Sequence, residues 1–594
     1  MLVTPGNLSE VCATIREAKD RGIDTETTGL EETDLPFACI IAVEGEVFYF
    51  DDRSCPGFWS APDFVSLFHE EHCTWHLQNA KFDMRMLESK GLPPLRNVND
   101  IAVQARIQRN DHLAYSLDAQ AKRAGMEKKG DMIAKYIKDN NCHEMRTDYF
   151  GVEYKALRFD QVPLELMQEY AEEDARITLE LAKLYAEKFD DDDRKVWEME
   201  RALTPVLYKM ERRGVRVDTK YTMQALYHEQ SIVDGHKERF KEHTGVDYVD
   251  SAKSMQKVLS FTLPLTEKGS PSLTDDVIGD MLKRGVSEKD QILLGIVREV
   301  RHYEKRISTY YKPFLSLMDN NSYLHTNMKQ AGTRTGRMSS SEPNLQQVPK
   351  EEDSTDTYVV RGCLTPSPGH IFVSIDYAQQ EYRMMAAYAK ENTIIQRVMA
   401  GEDFHQVTAD MFGVTRKIAK TLNFMILYGG GDQKLADMLG LHLTEARRLK
   451  LKYFLALPRV ELFIDAVIRT GRTRGYVRNW LGRKLYADRE FCYALPNHLI
   501  QGGGADVVKA AMVQIDKELP DIKMILQVHD QLVFDITPSQ LHHVPRLKEI
   551  MENVWEKEGM KLEVDVSWSN KSLAERDMKK GIPSADQYGS IQSI

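Results

Sequence analysis

The chain lacks the usual marks of a membrane or secreted protein. Its longest apolar stretch near the N-terminus, residues 37–43, is far short of the roughly 20 residues that span a bilayer, and MLVTPGNLSE has neither the basic nor the apolar region of a signal peptide. The expected location is therefore the cytoplasm, with no membrane partner. Cysteine is scarce: seven residues, at 12, 39, 55, 73, 142, 363 and 492, odd in number, scattered and without a C-x-x-C pair. That excludes a disulfide framework and a zinc ribbon and leaves reduced thiols. A repeat of fixed period is missing too, which excludes a solenoid. So is an excess of positive charge, since 79 Lys and Arg stand against 90 Asp and Glu for a net charge of −11. A uniformly basic nucleic-acid footprint is thereby excluded, though a local basic surface is not.

What is present reads as a globular chain. Its 42% hydrophobic and 28% charged residues are ordinary, and 594 residues predict three to five packed units of roughly 100–200 residues each. Strand-like and helical runs alternate between residues 20 and 185, as in a compact α/β unit. The acidic run FDDDDRK at 189–195 marks a boundary, and helical patterns dominate beyond it to about 330. A strand-like IFVSID follows, then helices from about 380 to 515, a hairpin, and a loose tail at 581–594. Within residues 296–313, Arg298, Arg301, Lys305 and Lys312 recur at helical spacing. A solvated helix face is the simpler reading of them, and a track for phosphates the other.

In GIDTETTGL, Asp24 and Glu26 alternate on one side of an extended segment. NAKFDMRML adds Asp83, and YAEEDARITLEL places Tyr170 and Asp174 one helical turn apart. Hard oxygen ligands of this kind suit divalent ions that activate water for phosphodiester hydrolysis. In this order, D-T-E-T, N-x-x-F-D and Y-x-x-x-D resemble the three motifs of the 3′-to-5′ proofreading exonucleases. The resemblance implies that Asp24, Glu26, Asp83 and Asp174 are metal ligands, that Tyr170 orients the water, and that Asn79 and Phe82 support the second motif.

A second pair of carboxylates lies far along the chain. IKMILQVHDQLVFDI reads as two strands, residues 524–528 and 532–536, joined by a tight turn that contains His529 and Asp530. HIFVSID ends another strand-like run at Asp376. If the strands are neighbours, Asp376 and Asp530 could hold two ions roughly 3.5–4 Å apart, the spacing of in-line displacement at phosphorus. Between them, Arg416, Lys420, Phe424 and Tyr428 are spaced four apart, a stripe cationic at its start and aromatic at its end, and Gly429, Gly430 and Gly431 end the helix. A nucleotide matches such a stripe, and so does an amphipathic helix with a basic edge.

Residues 195–570 resemble the family A DNA polymerases through EMERALTPVLYKMERRGVRVD, RTGRMSSSEPNLQQVP, DYAQQEYR, R-K-x-x-K-x-x-N-F-x-x-x-Y-G and QVHD. The resemblance implies that Asp376 and Asp530 bind the catalytic metals, Arg416 and Lys420 the triphosphate, and that Phe424 and Tyr428 flank the incoming nucleotide. It makes Glu381 the steric gate against a ribose 2′-OH and Arg383 a support for its motif. His529 stands near the primer end, and Arg337, Asn497 and Gln501 stand where the family contacts DNA. Arg383 is grouped with these DNA-binding residues. Three positions depart from the family pattern: Gln531 replaces a Glu, Met425 a Gly and Tyr493 an Arg.

The expectation is an α/β multidomain chain. A ribonuclease H-like exonuclease domain at 1–190 precedes a right-hand polymerase domain at 195–594, with thumb at 195–330, palm at 331–395 and 515–594, and fingers at 396–514. The implied cofactor is Mg²⁺, two ions per active site, with Mn²⁺ as a substitute. The implied partners are primer-template DNA, dNTPs and replisome proteins such as a helicase or single-strand binding protein, around a monomer. No 5′ nuclease domain is expected, and the compact layout suggests a bacteriophage replicative enzyme in a bacterial cytoplasm. A single-subunit RNA polymerase, a nuclease with a degenerate second half and a non-catalytic DNA scaffold are the competing readings. Glu381 and the exonuclease motifs oppose the first, intact Asp376, Lys420 and Asp530 the second, and the number of suitably typed residues the third.

Overall fold

The computed structural model describes residues 1–583 apart from residues 30, 32, 127–131 and 351–354. Most of the expected tail, residues 584–594, lies outside the described residues. The first unit is built on a five-stranded mixed sheet of β1 (Asp20–Thr27), β2 (Pro36–Val43), β3 (Glu46–Asp51), β4 (Thr74–Leu77) and β5 (Val98–Asp100), in the order β3-β2-β1-β4-β5. β1 runs antiparallel to β2 and parallel to β4. PFACIIAV in β2 is buried along its whole length, as a strand covered on both faces must be. Helices α1 (Ala80–Ser89), α2 (Met132–Asn140) and α3 (Leu164–Glu187) flank the sheet, and a hairpin of β6 (His143–Thr147) and β7 (Glu153–Leu157) stands beside it. Helix α3 lies across β1 and β2. Gly22 permits this approach, because a Cβ there would meet the Ala175 carbonyl oxygen at 2.7 Å.

The acidic run is the start of a helix. Asp190 caps α4 (Asp191–Arg213), accepting from the backbone N–H of Asp192 and Asp193, and the next three aspartates occupy the first turn. Negative charge is favourable there because the helix N-terminus is partly positive. The run also joins the two halves of the chain, since Asp190 pairs with Arg478 (2.5 Å) and Asp193 with Lys484 (2.6 Å).

The helical region contains α5 (Thr219–Thr244) and α6 (Glu288–Arg306). Arg298, Lys305 and Lys312 are exposed, as the solvated-face reading has them, but the helical row is interrupted. Helix α6 ends at Arg306, and Ile307–Tyr311 form a π-helical turn before Lys312–Leu317 resumes the α-helix, so Lys312 is rotated off the row. Arg306, almost fully buried, pairs with Glu229 (2.6 Å) and donates to the hydroxyl of Tyr311, the last residue of that turn (3.0 Å). Arg301 is taken by Asp250 (2.7 Å) and the Leu273 carbonyl (2.6 Å). All seven cysteines are free and buried.

The last unit is built on an antiparallel sheet. In chain order come β8 (Ile371–Tyr377), α7 (Gln380–Ala389), α8 (Phe404–Phe412), α9 (Arg416–Leu427), α10 (Leu495–Glu518), β9 (Lys523–Val528), β10 (Gln531–Ile536), β11 (Val564–Ser569) and β12 (Lys579–Lys580). The strands are ordered β9-β10-β8-β11-β12. His529 and Asp530 are the two-residue turn between β9 and β10, with His529 in the left-handed region at φ 57°. Among the described residues no helix is long and apolar enough to cross a membrane.

Four charges are buried where α4, α10 and the short hairpin of Tyr476–Arg478 and Lys484–Tyr486 meet. Arg483 pairs with Asp506 (2.6 Å) and with Glu200, and Lys509 pairs with Glu200 (2.6 Å), all four being 3% exposed or less. Gln330 and Asn479 complete the hydrogen bonding of the two acids, at 2.6 Å each. Two acids face two bases, so no net charge is buried. Arg483→Met removes one base and is expected to destabilise this unit by about 3–5 kcal/mol, seen as a lower urea midpoint. An unchanged midpoint would show that the network contributes nothing to stability.

Candidate active sites

Two sites emerge, one in each half. In the first, Asp24 and Glu26 project from β1, with Tyr170 and Asp174 of α3 and Phe82 of α1, into a cleft of about 710 Å³. Burial holds the Asp24 carboxyl well above its ordinary range, and the negative charges of Asp83, Glu26 and Asp174 push it further. Burial likewise raises Asp83 to about 7, although Thr25 donates to its Oδ1 from both the backbone N–H (3.0 Å) and the hydroxyl (2.6 Å). Tyr170 is raised by burial and by Asp174 beside it.

The structure thus brings the four expected carboxylates into one neighbourhood. It does not gather them equally, because Asp83 lies behind the cleft wall, 2% exposed and occupied by Thr25. Among the described residues no three His, Cys, Asp or Glu side chains converge as a metal-ligand group. Asn79 stands at the start of α1 in a left-handed conformation, φ 61°. Sequence reasoning missed Asp100, which accepts from the N–H of Asn79 (3.3 Å) and Ala80 (3.0 Å) and so fixes the helix that delivers Asp83. Its only signal was an Asp just before a helical run.

The second site forms where β8 and the β9/β10 turn meet. Asp376 is paired in register with Gln531, and Tyr377 N–H donates to the Asp530 carbonyl (3.3 Å), so the two carboxylates end up side by side. Burial and the neighbouring Asp530 raise Asp376 to about 7, and its Oδ1 is buried without a hydrogen-bond partner. Crowded carboxylates with an unpartnered oxygen fit a divalent cation. The Gln531 amide donates to Ser374 Oγ (2.5 Å) on the same face of the sheet.

Helix α9 turns its predicted stripe outward. Lys420 is exposed, while Phe424 and Tyr428 are 39% and 37% exposed and stacked with ring centroids 4.3 Å apart. Arg416 makes a two-pronged pair with Asp403, both contacts at 2.9 Å. Asp403 was absent from the sequence reading. It caps α8 by accepting from Gln406 N–H (2.8 Å), and the D-x-x-Q spacing signalled the cap but not the ion pair. Glu381, near the start of α7, accepts from Arg337 and from the Tyr428 hydroxyl (3.1 Å), which in turn accepts from Gln501 (3.1 Å). Four expected residues from four segments are therefore interlocked.

Other expected residues are placed less directly. His529 is exposed at the turn, and Asn497 is half-buried with its Oδ1 unpartnered. Arg383 was grouped with DNA contacts, but it is 5% exposed, pairs with Glu563 (2.5 Å) and donates to the Lys561 carbonyl (3.3 Å). These contacts brace α7 against the segment of Lys561 and Glu563. Met425 points inward, 1% exposed, against Gly430, where a Cβ would collide with its methyl carbon. Tyr493 is exposed beside Gly429.

The Asp376 shift has a pH consequence. Its pKa is raised from 3.8 to about 7 on folding, so the stability linked to its proton is fully present below pH about 4 and is lost as the pH rises through about 7. Asp376→Asn removes this titration. In EDTA it should raise the thermal midpoint more at pH 8 than at pH 5, by a difference on the order of 2 °C. Equal shifts at both pH values would show that the carboxylates do not strain one another.

Comparison with known proteins follows the same division. The family model for DNA polymerase family A matches residues 222–573, and that for 3′-5′ exonuclease matches residues 1–188. DNA polymerase I of Borreliella burgdorferi is 27% identical over 93% of this chain and 62% of its own length. The thermostable DNA polymerase I of Thermus aquaticus is 32% identical over 62% of this chain and 47% of its own. The chain thus spans about half to three fifths of the length of these relatives. A solved structure described as the POL domain of Pol1 from M. smegmatis in complex with DNA primer-template and dNTP shares the fold, with a TM-score of 0.80 and 23% identity over 96% of this chain and 98% of that one. With more than half of its length matched, the chain belongs to DNA polymerase family A and has an N-terminal 3′-5′ exonuclease domain.

Proposed function

We propose that the chain extends a DNA primer on a template with dNTPs and shortens mispaired primers from the 3′ end. The observation that supports this most is the pair Asp376 and Asp530 at adjacent strand ends, beside the interlocked Glu381, Tyr428, Gln501 and Arg337. Asp376 and Asp530 would hold Mg²⁺ in the polymerase site, and Asp24, Glu26 and Asp174, with Asp83 behind them, in the exonuclease site. When bound, such ions supply the positive charge that favours an ionised nucleophile and offsets charge gathering on phosphorus. Within the polymerase part, the proposed divisions are a thumb at 195–330, a palm at 331–395 and 515–594, and fingers at 396–514. A replicative role in a bacteriophage rests on the compact layout alone.

The residues have distinct tasks. Arg416 and Lys420 lie on the outer face of α9 and would bind the triphosphate, orienting the α-phosphorus toward the primer 3′-OH. Phe424 and Tyr428 offer a stacked, half-exposed aromatic surface for the sugar and base. Glu381 is held on one side by Arg337 and on the other by the Tyr428 hydroxyl. A side chain fixed this way cannot swing aside, so a 2′-OH in its space would clash. In the exonuclease cleft, Tyr170 would orient water beside Asp174.

The two sites share no carboxylate, so mutation should separate them. Asp24→Ala with Glu26→Ala is expected to abolish primer shortening and leave extension, whereas Asp530→Asn should slow extension by at least about 10³-fold and leave shortening. Primer assays with and without Mg²⁺ decide this, and loss of both activities from either folded variant would refute the two-site reading. Glu381→Ala should raise rNTP use relative to dNTP use by roughly tenfold or more. Unchanged selectivity in single-nucleotide incorporation would move the gate to another residue.

A further inference from the structure

The β6/β7 hairpin displays apolar surface that no catalytic argument has used. Met145, Tyr149, Phe150, Val152, Tyr154 and Leu157 are each between 38% and 60% exposed, within thirteen residues. One face of the hairpin is anchored. Arg146 binds Asp34 (2.7 Å) and Glu31 (2.9 Å), Tyr154 donates to Glu31 (2.9 Å), and Ala156 is buried. Asp34 and Glu31 belong to the loop that follows the D-T-E-T segment, so this anchoring ties the hairpin to the strand that bears Asp24 and Glu26.

Side chains alternate along a strand, and cross-strand partners share a face. The register pairs His143 with Leu157, Met145 with Lys155 and Thr147 with Glu153, so these six form the opposite face. At its base, His143 and Leu157 line the same cleft as Asp24, Glu26 and Asp174. At its far end the Asp148 carboxylate accepts from Phe150 N–H (2.9 Å) and Val152 N–H (2.8 Å), and Gly151 takes a left-handed conformation. This fixed tip presents Tyr149 and Phe150 edge to face, centroids 5.2 Å apart. Base to tip is five residues, roughly 17 Å.

We propose that this face is a binding track for single-stranded DNA, with bases stacking on Tyr149 and Phe150 at its entrance and the strand running past Met145 and Lys155 to the carboxylates. The proposal rests on the exonuclease reading and names the path by which substrate reaches that site. Continuity with the cleft favours a strand over a protein partner, because any occupant of the face also blocks or feeds the catalytic end. Flat aromatic surface suits every base equally, as a site that trims any sequence requires. Lys155 on the face and Lys138 in the cleft wall lie where phosphates would pass, with Glu153 the one acid among the six.

The test uses the full chain and two substrates, a single-stranded oligo(dT) 20-mer that reaches the tip and a dinucleotide that does not. Tyr149→Ala with Phe150→Ala is expected to raise KM for the 20-mer by about tenfold or more, to leave its kcat within about twofold, and to leave dinucleotide cleavage unchanged. Tyr149→Phe with Phe150→Tyr should restore the wild-type KM. A photoreactive p-benzoylphenylalanine placed at Tyr149 should crosslink to the 20-mer, a readout independent of cleavage. Unchanged KM, or an equal loss on both substrates, overturns the track, as does a failure to crosslink. Crosslinking by the chain that carries p-benzoylphenylalanine, with no degradation of either substrate by the wild-type chain in Mg²⁺, would instead overturn the exonuclease reading while leaving the track in place.

Discussion

The buried set of Glu200, Arg483, Asp506 and Lys509 is the constraint on which the rest of the polymerase half depends. It joins the first long helix after the exonuclease unit to the helix that bears Gln501, in a place with no water to replace a missing partner. Its influence extends to the site through contact. Gly336 lies against the Arg483 guanidinium, where a Cβ would approach the side chain at 2.9 Å, and Gly502 lies against the Thr335 carbonyl oxygen, where one would approach at 2.7 Å. Arg337 follows Gly336 in sequence and is thereby seated beside the charge cluster, while Gln501 precedes Gly502 and lies on the helix that carries Asp506 and Lys509.

The catalytic centres obey the opposite rule. In the network every buried charge is offset, whereas Asp376 with Asp530, and Asp24 with Asp83, Glu26 and Asp174, are like charges crowded together and partly removed from solvent. Each cluster sits near the end of a strand in the middle of a sheet, β8 or β1, with Asp376 paired on both sides, to Gln531 and Asp565, and Asp24 and Glu26 paired on one, to Ile40 and Ala38 of β2. The repulsion is held by the fold and relieved by a cation or a proton, which places the affinity for both in the same few atoms.

Much of this was legible in sequence because it depends on short-range spacing. A period of two placed Asp24 and Glu26 together, a period near four placed the α9 stripe, and the apolar runs around His529 and Asp530 marked a hairpin that the structure contains. Long-range partners were not legible. Nothing in the residues around Arg416 points to Asp403, nothing around Arg383 points to Glu563, and the four members of the buried network are spread over 300 positions. The π-turn that interrupts the basic row, beside the buried pair of Arg306 and Glu229, was not legible either, although Arg298, Lys305 and Lys312 are exposed as the solvated-face reading has them. The acidic run was read as a boundary by composition, and its service in capping a helix was not read with it.

The pair between Arg416 and Asp403 gives α9 an unusual resting condition. Its leading guanidinium is already paired with a carboxylate that a helix N-terminus also stabilises, and that pairing, against the opposing effect of burial, keeps Asp403 ionised down to pH about 2. A polyanion arriving at this helix therefore takes part in an exchange of one anion for another, and the displaced carboxylate stays close by as a competitor. Under the proposed role of α9, a triphosphate would engage the exposed Lys420 as well as Arg416, and the Asp403 carboxylate is the anion it would have to displace.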